Sequence, residues 1–335
     1  MVYQSEAMVM SGTGGPDVLT MQPVDLPWPA KPDDVLVRLH AAGVNPADTF
    51  FRALGPYVGD AAGTVLGHDG AGIVEAVGSS VTSVAVGDRV CFCNGGVGGP
   101  NGTYARHAIV PDWLLAGIPD DIDFGTAAAV PLVFITGWEA LVERVRVGQG
   151  ETVLIHGGAG GTGQIAIQIA LQQGARVAAT VSSSDKADLV IKLGAERAIN
   201  YLEADFVDDV RDWTGGVGLD VALDNAGPDV FRRSIAAMRP YGRLVTLMGM
   251  PGDLEDETAY TNNLTIHNVM MLTPMVLGLE PERRRQGDIV RAAMASLAEG
   301  RISVDIAGAF DLADAATAHA RLEAGGMTGK IVLTM

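Results

Sequence analysis

VLIHGGAGGTGQIAIQIALQQG, residues Val153–Gly174, predicts a strand, a glycine-rich turn and a helix in direct succession. VLI is a short apolar run that is typical of a buried strand. Ile165, Ile167, Ile169 and Leu171 make the following helix apolar almost all round. Such a helix packs against a sheet rather than facing water, so the stretch predicts a helix layered on a sheet.

The glycines of this stretch predict a site for a dinucleotide. They fit both G-x-G-x-x-G and G-x-x-G-x-x-G, spacings that let the backbone turn tightly and let a pyrophosphate approach a helix N-terminus. A glycine triplet alone is often only a turn, but ARVAATV (Ala175–Val181) adds a second strand and completes a β-α-β unit of about 30 residues. The predicted loop residues are Gly158, Ala159, Gly160, Gly161, Thr162 and Gly163.

Length, charge and cysteine content restrict the class of protein. The 335 residues suggest two domains, and the formal charge of −17 argues against nucleic acid or an anionic membrane as a partner. No apolar run approaches about 18–20 residues, and MVYQSEAMVM at the N-terminus lacks the regions of a signal peptide. The only cysteines are Cys91 and Cys93, so we expect a reduced, cytoplasmic protein.

The pattern of elements changes near residue 120. Before it, short glycine-bounded strands predict a compact β domain, with the proline-rich Gln22–Asp34 as an extended connection. After it, helices over Phe124–Ala129 and Thr136–Val145 lead into six strands that alternate with helices. This alternation predicts a doubly wound parallel sheet, an α/β fold. Two helices and a final strand, GKIVLTM, form a tail that we expect to return to the first domain.

The residues after the second strand of the β-α-β unit favour NADPH. An NAD site usually carries an acidic residue there, but this strand ends in Ser182, Ser183 and Ser184. The first acid, Asp185, is predicted to be the N-cap of the next helix. Lys186 is one of only four lysines, and hydroxyls with a lysine suit a 2′-phosphate. The alternative is a solvated helix start with an incidental lysine.

Seven segments, in order along nearly the whole chain, carry a resemblance to a known family. They are AAGVNPADTFFR (Ala41–Arg52), LGHDGAGIVEAVG (Leu66–Gly78), VGDRV (Val86–Val90), ETVLIHGGAGGTG (Glu151–Gly163), LGAERAINY (Leu193–Tyr201), YGRLVTLMG (Tyr241–Gly249) and MTGKIVL (Met327–Leu333). With them the chain resembles the quinone oxidoreductase (zeta-crystallin-like) branch of the medium-chain dehydrogenase/reductase superfamily. The resemblance implies a GroES-like, mostly-β catalytic domain (1–130 and 273–335), a Rossmann NADPH-binding domain (131–272) and a homodimer.

The resemblance also implies site residues. Ser182, Lys186 and Tyr201 fall where this branch surrounds the 2′-phosphate of NADPH, and Gly249 joins the cofactor contacts. The candidate catalytic residues are Asn45, Tyr57 and Thr136, which the resemblance places near the nicotinamide or the acceptor. The chain departs from the family after the asparagine loop, where Phe50 replaces a common tyrosine and Tyr57 follows at a spacing one residue longer. Their alternatives are a turn residue for Asn45, a loop aromatic for Tyr57 and a helix N-cap for Thr136.

The sequence does not support a zinc site. Alcohol dehydrogenases of the superfamily hold zinc with a cysteine in the loop that reads GVNPAD here and with a histidine that matches His68. A zinc site needs three protein ligands, and we assemble no convincing set, so we predict no metal. His68 is interpreted as a hydrogen-bonded structural residue, and the two cysteines as small side chains that pack within a strand.

The predicted activity is hydride transfer from NADPH to a quinone or an α,β-unsaturated carbonyl, without zinc. A short-chain dehydrogenase is excluded, because those enzymes need a Tyr-x-x-x-Lys pair and none of the six tyrosines is followed four residues later by lysine. Two alternatives stay open: a zinc-dependent alcohol dehydrogenase and a non-catalytic, crystallin-like NADPH-binding protein. The sequence leaves open the acceptor and proton donor, and whether Asn94–Gly102 or Gly252–Asn263 forms a lid.

Overall fold

The computed structural model describes residues 2–252 and 256–335. Its strands are β1 (Val2–Met10), β2 (Leu19–Pro27), β3 (Asp34–Val44), β4 (Asp69–Val77), β5 (Arg89–Cys93), β6 (His107–Pro111), β7 (Ala116–Gly117), β8 (Thr152–Ile155), β9 (Arg176–Val181), β10 (Arg197–Asn200), β11 (Leu219–Asp224), β12 (Met238–Thr246), β13 (Thr265–Asn268), β14 (Ile306–Asp311) and β15 (Lys330–Thr334). Its α-helices are α1 (Pro46–Leu54), α2 (Phe124–Ala129), α3 (Pro131–Trp138), α4 (Gly161–Gln172), α5 (Ser184–Lys192), α6 (Phe206–Trp213), α7 (Pro228–Ile235), α8 (Glu257–Thr261), α9 (Thr273–Leu277), α10 (Glu280–Ala298) and α11 (Ala315–Glu323). The chain forms two compact units, a β-rich unit of Met1–Leu132 with Leu272–Met335 and an α/β unit of Val133–Met271.

The α/β unit is built on one parallel sheet. Its six strands lie in the order β10-β9-β8-β11-β12-β13, and every neighbouring pair is parallel. Counted from β8, this is the doubly wound order 3-2-1-4-5-6, so the predicted Rossmann fold is confirmed. α4 is buried along most of its length, as its apolar surface predicts.

The β-rich unit contains a seven-stranded sheet and a hairpin. The order is β14-β15-β3-β4-β5-β7, with β6 also paired to β3, while β1 and β2 form a separate antiparallel pair. β15 pairs antiparallel with β3, so two strands nearly 300 residues apart complete one sheet. This is the mostly-β architecture expected of the GroES-like domain.

Several boundaries differ from the sequence predictions. Gln22–Pro27 belongs to β2 rather than to a connection, because an exposed strand at the edge of a two-stranded sheet tolerates proline. The two predicted helices near residue 130 join into one helical run, Phe124–Arg144, whose last turns, Glu139–Arg144, are π-helical. β14 was not predicted, and α10 begins eight residues earlier than expected.

The run Phe124–Arg144 is, among the described residues, the one helix apolar and long enough to cross a membrane. However, 78% of its most apolar window is buried inside the protein. Core helices of water-soluble proteins have the same composition, so we assign this run to the core.

Candidate functional site

The glycine-rich loop of the α/β unit has the geometry of a phosphate cradle. β8 ends at Ile155, Gly157 adopts a left-handed conformation with φ +65°, and α4 begins after Gly160. A Cβ on Gly163 would lie 2.2 Å from the Gly157 carbonyl oxygen, and one on Gly158 would lie 2.6 Å from the Cβ of Ala179. Only glycine fits at these two positions, so helix and loop approach each other closely.

The cradle leaves backbone donors for an anion. Of the predicted loop residues, Gly158, Ala159 and Gly160 form the turn, and Gly161, Thr162 and Gly163 form the first turn of α4. First-turn N–H groups have no partner inside a helix, and the helix dipole adds partial positive charge. Since Gly160 has no side chain to cap them, these groups suit the pyrophosphate of a dinucleotide.

A neutral histidine, His156, fixes the start of the loop. Ser234 Oγ donates to the Val230 carbonyl, so His156 Nε2, 2.9 Å from that hydroxyl, must carry the ring hydrogen. His156 Nδ1 then accepts from Thr180 Oγ1, which itself accepts from the Gly157 N–H. Burial, aided by Arg233, lowers the pKa of His156 to about 3, so the ring is uncharged at neutral pH.

Ser182, Lys186 and Tyr201 lie at the carboxyl edge of the same sheet. Lys186 Nζ donates to Ser182 Oγ at 3.0 Å, and the Tyr201 N–H bonds the carbonyl of Val181, the residue before Ser182. The exposed Tyr201 side chain and the half-buried Lys186 thus flank the end of β9. The N-cap prediction for Asp185 is wrong: Ser183, in an extended conformation, caps α5 by accepting from the Lys186 N–H.

Gly249 follows β12 at this edge. Its φ of +84° favours glycine, and nothing lies within 4 Å of where a Cβ would stand. Nearby, the buried Asp224 carboxylate accepts from the Ala226 and Gly227 N–H groups and from Thr246 Oγ1, which holds the ends of β11 and β12 in place.

In the β-rich unit, Asn45 is part of a buried polar cluster. Asn45 is 0% exposed, its Nδ2 donates to Asp69 Oδ2 at 2.9 Å, and its Oδ1 accepts from Lys330 Nζ. Lys330 Nζ also donates to the Val44 carbonyl, and Asp69 Oδ1 accepts from the Leu132 N–H. Burial lowers the pKa of Lys330 and raises that of Asp69. Each group's charge opposes this by favouring the ionised form of the other, but burial has the larger effect.

A second part of the cluster centres on the Asp48 carboxylate. It accepts hydrogen bonds from the N–H groups of Asn45 and Gly67 and from the Tyr104 hydroxyl, and it lies 2.8 Å from His68 Nδ1. Burial opposes ionisation, but His68, His319 and the hydrogen bond from the Asn45 N–H lower the pKa of Asp48 on balance. Asp48 therefore fixes the orientation of the His68 ring, as a carboxylate does for a catalytic or metal-binding histidine.

The other two candidate catalytic residues lie in different environments. Tyr57 is 58% exposed after α1, and its ring contacts Phe51 edge-on at 5.1 Å between centroids. Thr136 is 8% exposed inside α3, in the α/β unit, and is not a helix N-cap.

The residues that zinc would require do not converge. His68 is completely buried, with Nδ1 engaged by Asp48. Cys91 and Cys93 are buried free thiols whose pKa burial raises. Among residues 2–252 and 256–335, no group of three His, Cys, Asp or Glu side chains could hold a metal ion.

A surface groove elsewhere in the β-rich unit contains none of the predicted site residues. It has a volume of about 790 Å³ and is lined by Trp113, Arg284 and Arg291, among others. Of the two possible lids, Asn94–Gly102 is an irregular loop, and residues 253–255 of Gly252–Asn263 lie outside the described residues.

The sequence reasoning missed most of the buried cluster. Asp48, Asp69, Tyr104, His319 and Lys330 received no role, although their side chains surround Asn45 and His68. Lysine scarcity was the one available signal, because a chain with four lysines places one of them, Lys330, at a buried position.

Two family models match the chain. Residues 31–120 match the alcohol dehydrogenase GroES-like domain, and residues 161–289 match the zinc-binding dehydrogenase family. These two matches fall on the β-rich unit and mainly on the α/β unit, respectively.

Individual relatives match over nearly their whole length. A quinone oxidoreductase of Pseudomonas aeruginosa is 35% identical over 321 residues, with 96% of each chain covered. A 2-haloacrylate reductase of a Burkholderia species is 33% identical over 333 residues, with 98% of each covered. Among solved structures, an alcohol dehydrogenase superfamily protein from Novosphingobium aromaticivorans is 34% identical and superposes with a TM-score of 0.90 over 99% of each chain.

Proposed function

Because this chain belongs to the quinone oxidoreductase branch of the medium-chain dehydrogenase/reductase superfamily, we propose that it reduces quinones or α,β-unsaturated carbonyls with hydride from NADPH. The chain is an oxidoreductase that uses a nicotinamide cofactor and a small-molecule substrate. Two of the relatives described above are named for their acceptors, a quinone and a 2-haloacrylate. Both are conjugated acceptors, which is the property that the proposed reaction requires.

The choice of NADPH rests mainly on the contact between Lys186 and Ser182. A hydroxyl and an ammonium 3.0 Å apart at the end of β9, with no carboxylate on that strand end, suit a phosphate better than a ribose hydroxyl. Tyr201 flanks them, and the loop from Gly158 to Gly163 would take the pyrophosphate. We propose the α/β unit as the NADPH-binding domain, close to the predicted range 131–272, and the β-rich unit as the catalytic domain.

Asn45, Tyr57 and Thr136 are proposed to serve the acceptor and nicotinamide. Bound NADPH would supply the hydride. The oxygen of the reduced acceptor then needs a hydrogen-bond donor and a proton. Because both ends of the Asn45 amide are already bound inside the protein, we assign Asn45 a positioning role. Tyr57 has an exposed side chain, which supports it as the donor.

We propose that the reaction proceeds without zinc. The support is chemical: the described residues offer no three-ligand group, and burial disfavours the thiolate form of both cysteines. Metal analysis of the purified protein separates this proposal from the zinc-dependent alternative.

A cytoplasmic homodimer is the proposed form. β13 is an edge strand, and Met248, Met250 and Met270, near the ends of β12 and β13, are 41–44% exposed, which supports association at this edge. Light scattering during gel filtration measures the mass, and a monomer would contradict the proposal.

The proposed function is tested by NADPH oxidation, followed as loss of absorbance, with 1,4-benzoquinone, 9,10-phenanthrenequinone and small enones in parallel. We expect turnover with at least one acceptor and a higher kcat/KM with NADPH than with NADH. Binding of NADPH without oxidation by any acceptor would instead favour the non-catalytic, crystallin-like alternative.

A further inference from the structure

One arginine of the β-rich unit has no acidic partner among the described residues. Arg283, on α10, is half-buried, and its Nε, which is shielded from solvent, has no hydrogen-bond partner in the described part of the chain. Its Nη2 donates to Asn94 Oδ1, and its guanidinium lies 5.7 Å from the Trp113 ring centre. Within residues 2–252 and 256–335 it forms no ion pair.

Two other arginines of the β-rich unit show how unusual this arrangement is. The buried Arg52 forms a two-pronged pair with Glu323, and Arg284, the next residue on α10, pairs with Glu280 while half-exposed. An unpaired charge loses its hydration on burial and is costly to keep. In a protein of net charge −17, a cation without an acid is better explained by a ligand that brings one.

Arg283 lies beside the buried cluster that contains Asn45 and His68. Its partner Asn94 donates a backbone hydrogen bond to the His68 carbonyl at 2.7 Å, and Cys93 is paired with Asp69 across β4 and β5. Burial raises the pKa of the Cys93 thiol, Asp69 adds to the rise, and Arg283 and Lys330 oppose it, as charges close to the thiol do. The unpaired guanidinium therefore belongs to the neighbourhood of the candidate catalytic residues.

We propose that Arg283 binds the carboxylate of the acceptor, and that the acceptors include α,β-unsaturated carboxylic acids. This inference rests on the proposed function. Hydride would add to the β-carbon of the acid, and the electron pair of the double bond would shift to give an enediolate. A proton would then add to the α-carbon, leaving a saturated acid and NADP⁺. Because negative charge on the carboxylate grows during the addition, a guanidinium there stabilises the transition state more than the bound acid.

The test compares trans-2-butenoate with its methyl ester, which differ in the charge that Arg283 would bind. Calorimetry measures the binding of each to the protein saturated with NADP⁺, for wild type, Arg283→Gln, Arg283→Lys and the control Arg284→Gln. We expect Arg283→Gln to raise the Kd for the acid about 10- to 100-fold, the range for a hydrogen bond to a charged group. The effect on the ester should be at least about tenfold smaller. Lysine, which lacks the planar fork, should restore binding only in part, and Arg284→Gln should bind the acid as wild type does.

A stability measurement separates a ligand-binding arginine from a structural one. Because the charge is unpaired, Arg283→Gln should keep or raise the unfolding temperature, whereas loss of a structural arginine would lower it. Equal acid binding by Arg283→Gln and Arg284→Gln, or no acid binding by wild type, would overturn the proposal. Turnover of benzoquinone and of the ester by wild type tests the proposed function independently.

Discussion

Replacing Lys186 by methionine should remove most of the preference for NADPH over NADH. An oxygen that Ser182 Oγ binds would also lie close to Lys186 Nζ, since these two atoms are 3.0 Å apart. Opposite unit charges about 4 Å apart interact by roughly 1–4 kcal/mol at effective dielectric constants of about 80 to 20. Hydrogen bonds to charged groups contribute a similar amount, about 1.5–3 kcal/mol. The Kd for NADPH should therefore rise about 10- to 100-fold, and the Kd for NADH should hardly change.

Lys192 offers a matched control on the same helix. It is exposed in the last turn of α5, and Lys192→Met changes the net charge by the same one unit as Lys186→Met. Fluorescence titration with NADPH and NADH measures all four affinities for the two variants. Ser182→Asp adds the opposite test, because an acidic residue there should repel the phosphate and retain NADH. Equal NADPH affinities in the two lysine variants would refute the assignment of the phosphate site.

Three further predictions follow from the geometry of individual residues. Gly163→Ala should abolish NADPH binding in titrations and lower stability by about 1–3 kcal/mol, because its Cβ would overlap the Gly157 carbonyl. As a control, Gly160→Ala should stay folded, because its Cβ would lie 3.5 Å from the same oxygen. Equal behaviour of the two variants would contradict the cradle. In the folded protein His156 has a pKa of about 3, so between about pH 3 and 6.5 its ring is protonated in the unfolded chain but not in the folded one. Stability therefore rises with pH in that window, and lowering the pH from 7 to 5 costs about 2 kcal/mol. Urea unfolding of His156→Gln should lose this share of the pH dependence, and an unaltered slope would show that His156 titrates normally. Asn45→Ala should lower the free energy of unfolding by roughly 2–4 kcal/mol, because it leaves Asp69 and Lys330 short of partners, and unchanged stability would disprove that role.

The parts of the fold that the sequence predicted depend on neighbouring residues. The strand, glycine turn and helix of Val153–Gly174 lie within one short segment, and the steric need for glycine at position 163 arises from Gly157 and Gly158. The buried cluster could not be predicted in this way, since Asn45 meets Lys330 and Tyr104 meets His319 only after the whole β-rich unit forms. Arg283 illustrates the same limit, because the absence of an acidic partner among the described residues is visible only when the neighbours of the guanidinium are known.

Local competition also explains the smaller errors. Ser183 and Asp185 are both residue types that cap helix N-termini well. Ser183 caps α5 because its backbone is extended and the helix begins at the next residue, Ser184. In Gln22–Asp34 the prolines indicated a connection, but the exposed pairing of β1 with β2 accommodates them.

The contact between Lys330 and Asn45 spans 285 residues, and this separation has a consequence for synthesis. At roughly 5–20 residues per second, a ribosome needs about 15–60 s to proceed from one residue to the other. The α/β unit is contiguous and can fold in that interval. Asn45 and Asp69 lack the Lys330 ammonium until β15 is synthesised and pairs with β3. The nascent chain therefore acquires a folded α/β unit before the β-rich unit that holds Asn45 and Asp69 can close.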